Sequence, residues 1–247
     1  MTRLENFGQL DSAPRWILLI TGSHVAFGAL ALYAWHVLSE TLSMRVSWTG
    51  AGGASAAGMA VLQAGLCALV LRSFPQGAAL RPAWLLIMLS AIFRAAALEA
   101  LPMALLAGGL FAALRTMRKF GFCERPRPVD WALTGAVGAF AVWRAIEPAG
   151  LIATAASVFL CVLVFEALAL RRAAARMNGG MIGRCWSLLS VAILVTAAGE
   201  IAGWAARSFL LDWPVAALEW SAWFVAAIDF ALSPAYQLAA GHRAARQ

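Results

Sequence analysis

The chain has 247 residues, of which 62% are hydrophobic and 13% charged, and a formal net charge of +7. Soluble domains carry roughly 25% charged residues, so the composition excludes an ordinary soluble domain. It indicates an all-α, polytopic integral membrane helix bundle. The surplus of arginine then belongs to loops facing an anionic leaflet, and no nucleic-acid partner is expected.

Residues 1–15 are polar and close to neutral, with Arg3 and Arg15 set against Glu5 and Asp11. The first apolar segment, 16–38, runs without a break past Ala29-Leu30-Ala31, a faint peptidase-like site, and is read as a retained membrane helix. A Ser/Gly-rich loop, 39–53, leads to a second span at 54–71. Phe74-Pro75-Gln76-Gly77 marks the next turn.

Residues 83–119, as one helix at ~1.5 Å per residue, would reach roughly 55 Å, against a bilayer core of ~30 Å. Folding that stretch at Pro102 yields two spans, 83–101 and 103–119. A basic loop, 120–130, holds Pro126 and Pro128. Spans at 131–146 and 149–170 follow, joined through Glu147-Pro148. A second basic loop, 171–184, is broken by Asn178-Gly179-Gly180, and the last spans are 185–207 and 215–238. Pro234 lies inside the last of these, where a kink is expected. Glu166 falls near Arg171 and reads as an interfacial residue.

This reading makes a single transmembrane domain of eight helices arranged as four hairpins. With both termini in the cytoplasm of an inner-membrane protein, fifteen of the nineteen basic residues face inside. The alternative of seven spans, with 83–119 unbroken, moves Arg3, Arg15, Arg72 and Arg81 outside, and the positive-inside rule favours eight.

Each outer turn carries a similar set of charges. Trp35-His36 precedes Glu40; Phe93-Arg94 precedes Glu99 and Pro102; Trp143-Arg144 precedes Glu147-Pro148; Trp204 and Arg207 precede Asp212 and Pro214. The cations recur about every 50–60 residues, and AIFRAAALE at 91–99 aligns with AILVTAAGE at 192–200, the pattern of an internal repeat. A cation in a last helical turn and an acid at the next first turn also simply complement the helix dipoles. These sets therefore build the fold without naming a ligand.

Deeper in the spans stand Asp229, Glu200, His24 and Gln63. A charged group at mid-membrane costs at least ~2.5–3.5 kcal/mol and calls for a partner or a wet cavity. Asp229, Glu200 and His24 would form a protonatable path if their helices are neighbours; otherwise they are polar contacts between helices. Gly199 and Gly203 mark a close-packed face.

No metal or cofactor is expected. Cys67, Cys123, Cys161 and Cys185 lack paired spacing, Lys119 is at a span boundary where no retinal Schiff base would form, and no catalytic motif is present. The expectation is transport of a small solute or ion, with proton coupling one form of it. The alternative is a sensory, regulatory or assembly subunit working through its basic loops. An enzyme acting on a lipid-soluble substrate comes third. The bilayer and its anionic headgroups are the expected partners, with a second subunit or another copy of the chain left open.

Overall fold

The computed structural model describes residues 48–96, 100–146, 150–177, 180–208 and 212–244. These residues form seven helices and no strand: α1 (Trp48–Ser73), α2 (Arg81–Ala95), α3 (Ala100–Lys119), α4 (Pro128–Ile146), α5 (Gly150–Arg176), α6 (Met181–Ser208) and α7 (Asp212–Ala244). The expected span 16–38, with His24, His36 and Glu40, lies outside the described residues, as do Glu99 and Glu147.

Residues 83–119 form two helices, not one. α2 closes at Ala96, whose N–H donates to the Ile92 carbonyl at 3.2 Å. Pro102 falls in the first turn of α3, where a missing N–H costs no hydrogen bond. The hairpin is drawn tight by small residues. A Cβ on Gly109 of α3 would stand 3.1 Å from the Ala83 carbonyl and 3.0 Å from Ile87, both on α2. Ser90 Oγ donates across the pair to the Pro102 carbonyl at 2.7 Å.

Several helices run past the expected spans. α1 begins inside the segment read as loop, α5 continues through Arg171 and Arg172 to Arg176, and α7 runs on to Ala244. Apolar periodicity marks where a helix meets lipid, whereas its ends are set by breakers, and arginine and alanine are good helix formers outside the bilayer. α3 shows such a stop. Gly121 takes φ 78°, with Gly121 N–H to Arg118 O and Phe122 N–H to Met117 O both at 3.1 Å, a closure that favours glycine.

Six helices form a closed ring of contacts: α1–α2, α2–α3, α3–α5, α5–α6, α6–α7 and α7–α1. α4 packs on the outside against α5, with Phe140 and Trp143 edge-on to Trp204 of α6. One end of the bundle carries the short α2–α3, α4–α5 and α6–α7 connections and is called here the apex end. The other carries the loop 120–127, with Arg125 and Arg127, and the α5–α6 connection flanked by Arg171, Arg172, Arg176 and Arg184, and is called the basic end.

Polarity is distributed as lipid demands. Val61, Phe111, Leu133, Val142, Ile152 and Val158 are exposed, while Gln63, Ser90, Ser190, Ser233 and Gln237 are buried. Among the described residues three helical segments are long and apolar enough to cross a membrane: Ala100–Lys119, Thr154–Arg176 and Met181–Trp204. The fold is an all-helical bundle with membrane-spanning character.

Candidate functional site

Arg94 sits in the last turn of α2, a helix of only 15 residues. At ~1.5 Å per residue it stands roughly 20 Å above the basic end. Because α2 stops short, this turn lies beside the middle of its neighbours rather than at an interface where an arginine can snorkel. The guanidinium turns into the bundle. Its Nη2 donates to Gln63 Oε1 of α1, and its carbon lies 4.5 Å from the centroid of the Phe230 ring on α7. Gln63 is 2% exposed, so the pair is a buried polar tie between α1 and α2.

Beside this tie is a cavity of about 70 Å³. Its walls come from five ring helices. α2 supplies Ser90 and Arg94, α3 Pro102, Met103 and Leu106, and α5 Leu160 and Leu163; Ile193 and Thr196 of α6 and Phe230 of α7 complete it. The polar groups in this wall are few. Ser90 Oγ is committed to Pro102, and Thr196 Oγ1 donates to the Ala192 carbonyl at 2.8 Å. Arg94 makes no ion pair with any described residue, so among these residues the cation at the cavity has no counter-charge.

Toward the basic end the ring is filled. Trp84 of α2 and Trp186 of α6 meet with ring centroids 5.2 Å apart, and both are fully buried. Neither indole N–H finds an acceptor among the described residues. Nearby, a Cβ on Gly183 would stand 2.9 Å from the Ala174 carbonyl, which locks the α5–α6 turn at close approach. Two tryptophans and tightly packed backbone thus fill the bundle on the basic side of the cavity.

Of the other residues singled out in the sequence, Asp229 is partly buried on α7 beside Phe230, but it does not line the cavity. Glu200 is partly buried on α6. By helix rise it lies roughly 12 Å below the apex end of α6, whereas Asp229 lies roughly 25 Å below that of α7. The two carboxyls are on packed neighbours but staggered. Gly199 and Gly203 are buried, and Arg144 is partly buried near the apex end of α4. Arg207 and Asp212 are helical positions at the α6 and α7 termini whose side chains are outside the description.

Glu166, read from the sequence as interfacial, is a buried position on α5. It is 7% exposed, and its Oε2 has no partner among the described residues. The extension of α5 to Arg176 leaves it roughly 15 Å from the end of that helix.

A second polar cluster was not read from the sequence. Asp130 Oδ2 accepts from the Arg127 backbone N–H at 2.6 Å and from Arg172 Nη1, so it both caps α4 and ties it to α5. Arg176 holds the preceding loop through Glu124, Nε to Oε1 at 2.8 Å, and through the Gly121 carbonyl at 3.4 Å. A proline followed two positions on by an acid was the legible sign of a helix start; the distant arginines had none. The four cysteines are free, and no cluster suited to a metal occurs among the described residues.

The arrangement defines a helical bundle of membrane-spanning character with an internal, cation-bearing cavity. Comparisons with protein-family models, with curated proteins and with solved structures found no match.

Proposed function

We propose that the protein is a membrane permease for a small solute, with the cavity at Arg94 as its solute site. The observation that carries this reading is a guanidinium with no counter-charge among the described residues, facing a cavity lined by five helices. Burying such a charge is costly unless something else is gained, and a transient ligand is that gain.

The contact ring supports the same reading. Exchanging α1, α2 and α3 for α5, α6 and α7 maps every contact of the ring onto another: α1–α2 onto α5–α6, α2–α3 onto α6–α7, and α3–α5 onto α7–α1. Trp84 and Trp186 are then partners across the pseudo-axis. On this reading the chain is built as two four-helix halves, eight spans in all, with the segment 16–38 as the proposed counterpart of α4. Parallel repeats about an axis along the membrane normal recur in carriers that rock around a central site. The topology proposed is an inner-membrane one with both termini cytoplasmic, so that the arginine-rich basic end faces anionic lipid. Asp229 and Glu200 remain candidates for a coupled proton route.

A second reading, a docking or assembly subunit, draws on the basic end. There Arg115, Arg118, Lys119, Arg125, Arg127 and Arg171 are exposed while the loop itself is pinned by Arg176. Re-swelling of osmotically shocked proteoliposomes separates the two. A permease accelerates entry of at least one member of a panel of small neutral, cationic and anionic solutes over protein-free vesicles. Protein-free rates for the whole panel contradict the permease reading and favour docking.

A further inference from the structure

We propose that the cavity selects a small organic monoanion, a carboxylate of two or three carbons, with Arg94 reading the charge and the apolar wall taking the carbon tail. This assignment rests on the cavity being the solute site.

Three features of the wall define the ligand. The first is charge. Arg94 has one N–H committed to Gln63 and none to an acid among the described residues, so its remaining donors suit an anion. Gln63 and the Phe230 ring hold the guanidinium in place, which reduces the ordering cost of binding. Ser90 and Thr196 have both spent their protons on backbone carbonyls, so they add no second anion donor. One cation and no further donor match a single negative charge.

The second feature is polarity. Pro102, Met103, Leu106, Leu160, Leu163 and Ile193 surround the rest of the space. An apolar wall gives nothing back for the hydration lost by sulfate or phosphate, whereas a methyl or ethyl group is stabilised there. The third is size. The cavity of about 70 Å³ is about half the ~150 Å³ of an engineered cavity that takes up benzene. On the scale of benzene's six carbons that is room for about three non-hydrogen atoms, so acetate, with four, fills the space to its open side and propionate is at the limit.

Acetate, propionate, hexanoate, acetamide and nitrate are titrated into the detergent-purified protein by calorimetry. Acetate and propionate are expected to bind, with acetamide, nitrate and hexanoate weaker by about ten-fold or more, the scale of one charge-assisted contact. Arg94→Gln is expected to lose acetate by a similar factor while remaining monodisperse, and Arg94→Lys to retain part of it. Acetamide bound as well as acetate removes Arg94 as the reader, and nitrate bound as well reassigns the cavity to inorganic anions. Unbound acetate removes the proposal outright, and that result needs no variant.

Transport is read separately with methanesulfonate, which stays ionised, because acetic acid crosses lipid unaided in its neutral form. Acetate binding without protein-dependent flux of methanesulfonate or of any solute in the swelling panel keeps the carboxylate site and removes the permease reading. Flux of some other solute without acetate binding keeps the permease and removes the carboxylate class.

Discussion

The guanidinium of Arg94 lies over the face of Phe230, 4.5 Å from the ring centroid, while one of its N–H groups is held by Gln63. The consecutive helices α1 and α2 and the chain-distant α7 are thereby tied around one partly buried cation. A cation over an aromatic face contributes about 0.5–2 kcal/mol, the more when water is excluded, and the amide acceptor adds to it.

Gln63→Leu leaves the guanidinium short of an acceptor and is expected to cost about 1–3 kcal/mol. Arg94→Leu strands the Gln63 amide at a similar cost. The double variant removes both polar groups together, so its loss in thermal melting in detergent should be well below the sum of the two single losses. Strict additivity of the two losses would show that the contact is not made in the folded protein.

The Trp84–Trp186 contact carries a different expectation. Neither indole N–H has an acceptor among the described residues, so Trp84→Phe keeps most of the packing and loses no hydrogen bond. Trp84→Ala, which opens a cavity between two fully buried rings, should cost about 3–5 kcal/mol. Melting temperatures compare the two, and a phenylalanine variant as damaged as the alanine variant would mean that the N–H does have a partner.

At the basic end, Asp130 caps α4 and holds Arg172. Asp130→Ala leaves the Arg172 side chain, 12% exposed, without its counter-charge, and breaking such a buried pair costs about 3–5 kcal/mol. Asp130→Ala with Arg172→Met should recover much of that loss. A double variant no more stable than Asp130→Ala would place the whole effect in the cap.

Cys123 lies in the loop between α3 and α4, and its Sγ is 3.5 Å from the Leu114 carbonyl. Burial pushes its thiol above the ordinary value of 9.0, while Arg118 and Arg172 pull the other way with less effect. A raised pKa leaves less thiolate at any pH below it. Labelling by a membrane-impermeant maleimide should therefore be slower than for a free thiol at pH 8 and should still climb above pH 9. The proposed topology further requires reaction from the cytoplasmic side only.

Much of the helical scaffold was legible because its signals are local. The turn at Phe74–Gly77, the break near Pro102 and the breaker at 178–180 depend on residues next to one another. The direction of Arg94 was not. A cation near the end of an outward helix reads the same whether it snorkels to the interface or turns inward, and the choice followed from α2 ending at Ala95 and from Phe230 lying 136 positions along the chain. The end of α5 was misplaced for a related reason: the arginines after Glu166 looked like a loop, but they continue the helix. The Asp130–Arg172 tie spans 42 positions and has no signature in spacing at all.

The central claim is that the cavity at Arg94 is reached by solute from both sides of the membrane. Thr196 lines it and its hydroxyl makes only a local backbone contact, so Thr196→Cys disturbs little. In a variant with Cys67, Cys123, Cys161 and Cys185 replaced by serine or alanine, this thiol is exposed to a small impermeant methanethiosulfonate in sealed vesicles of each orientation. A permease predicts labelling from both sides, slowed by a bound solute. Labelling from one side alone, or from neither, contradicts the account.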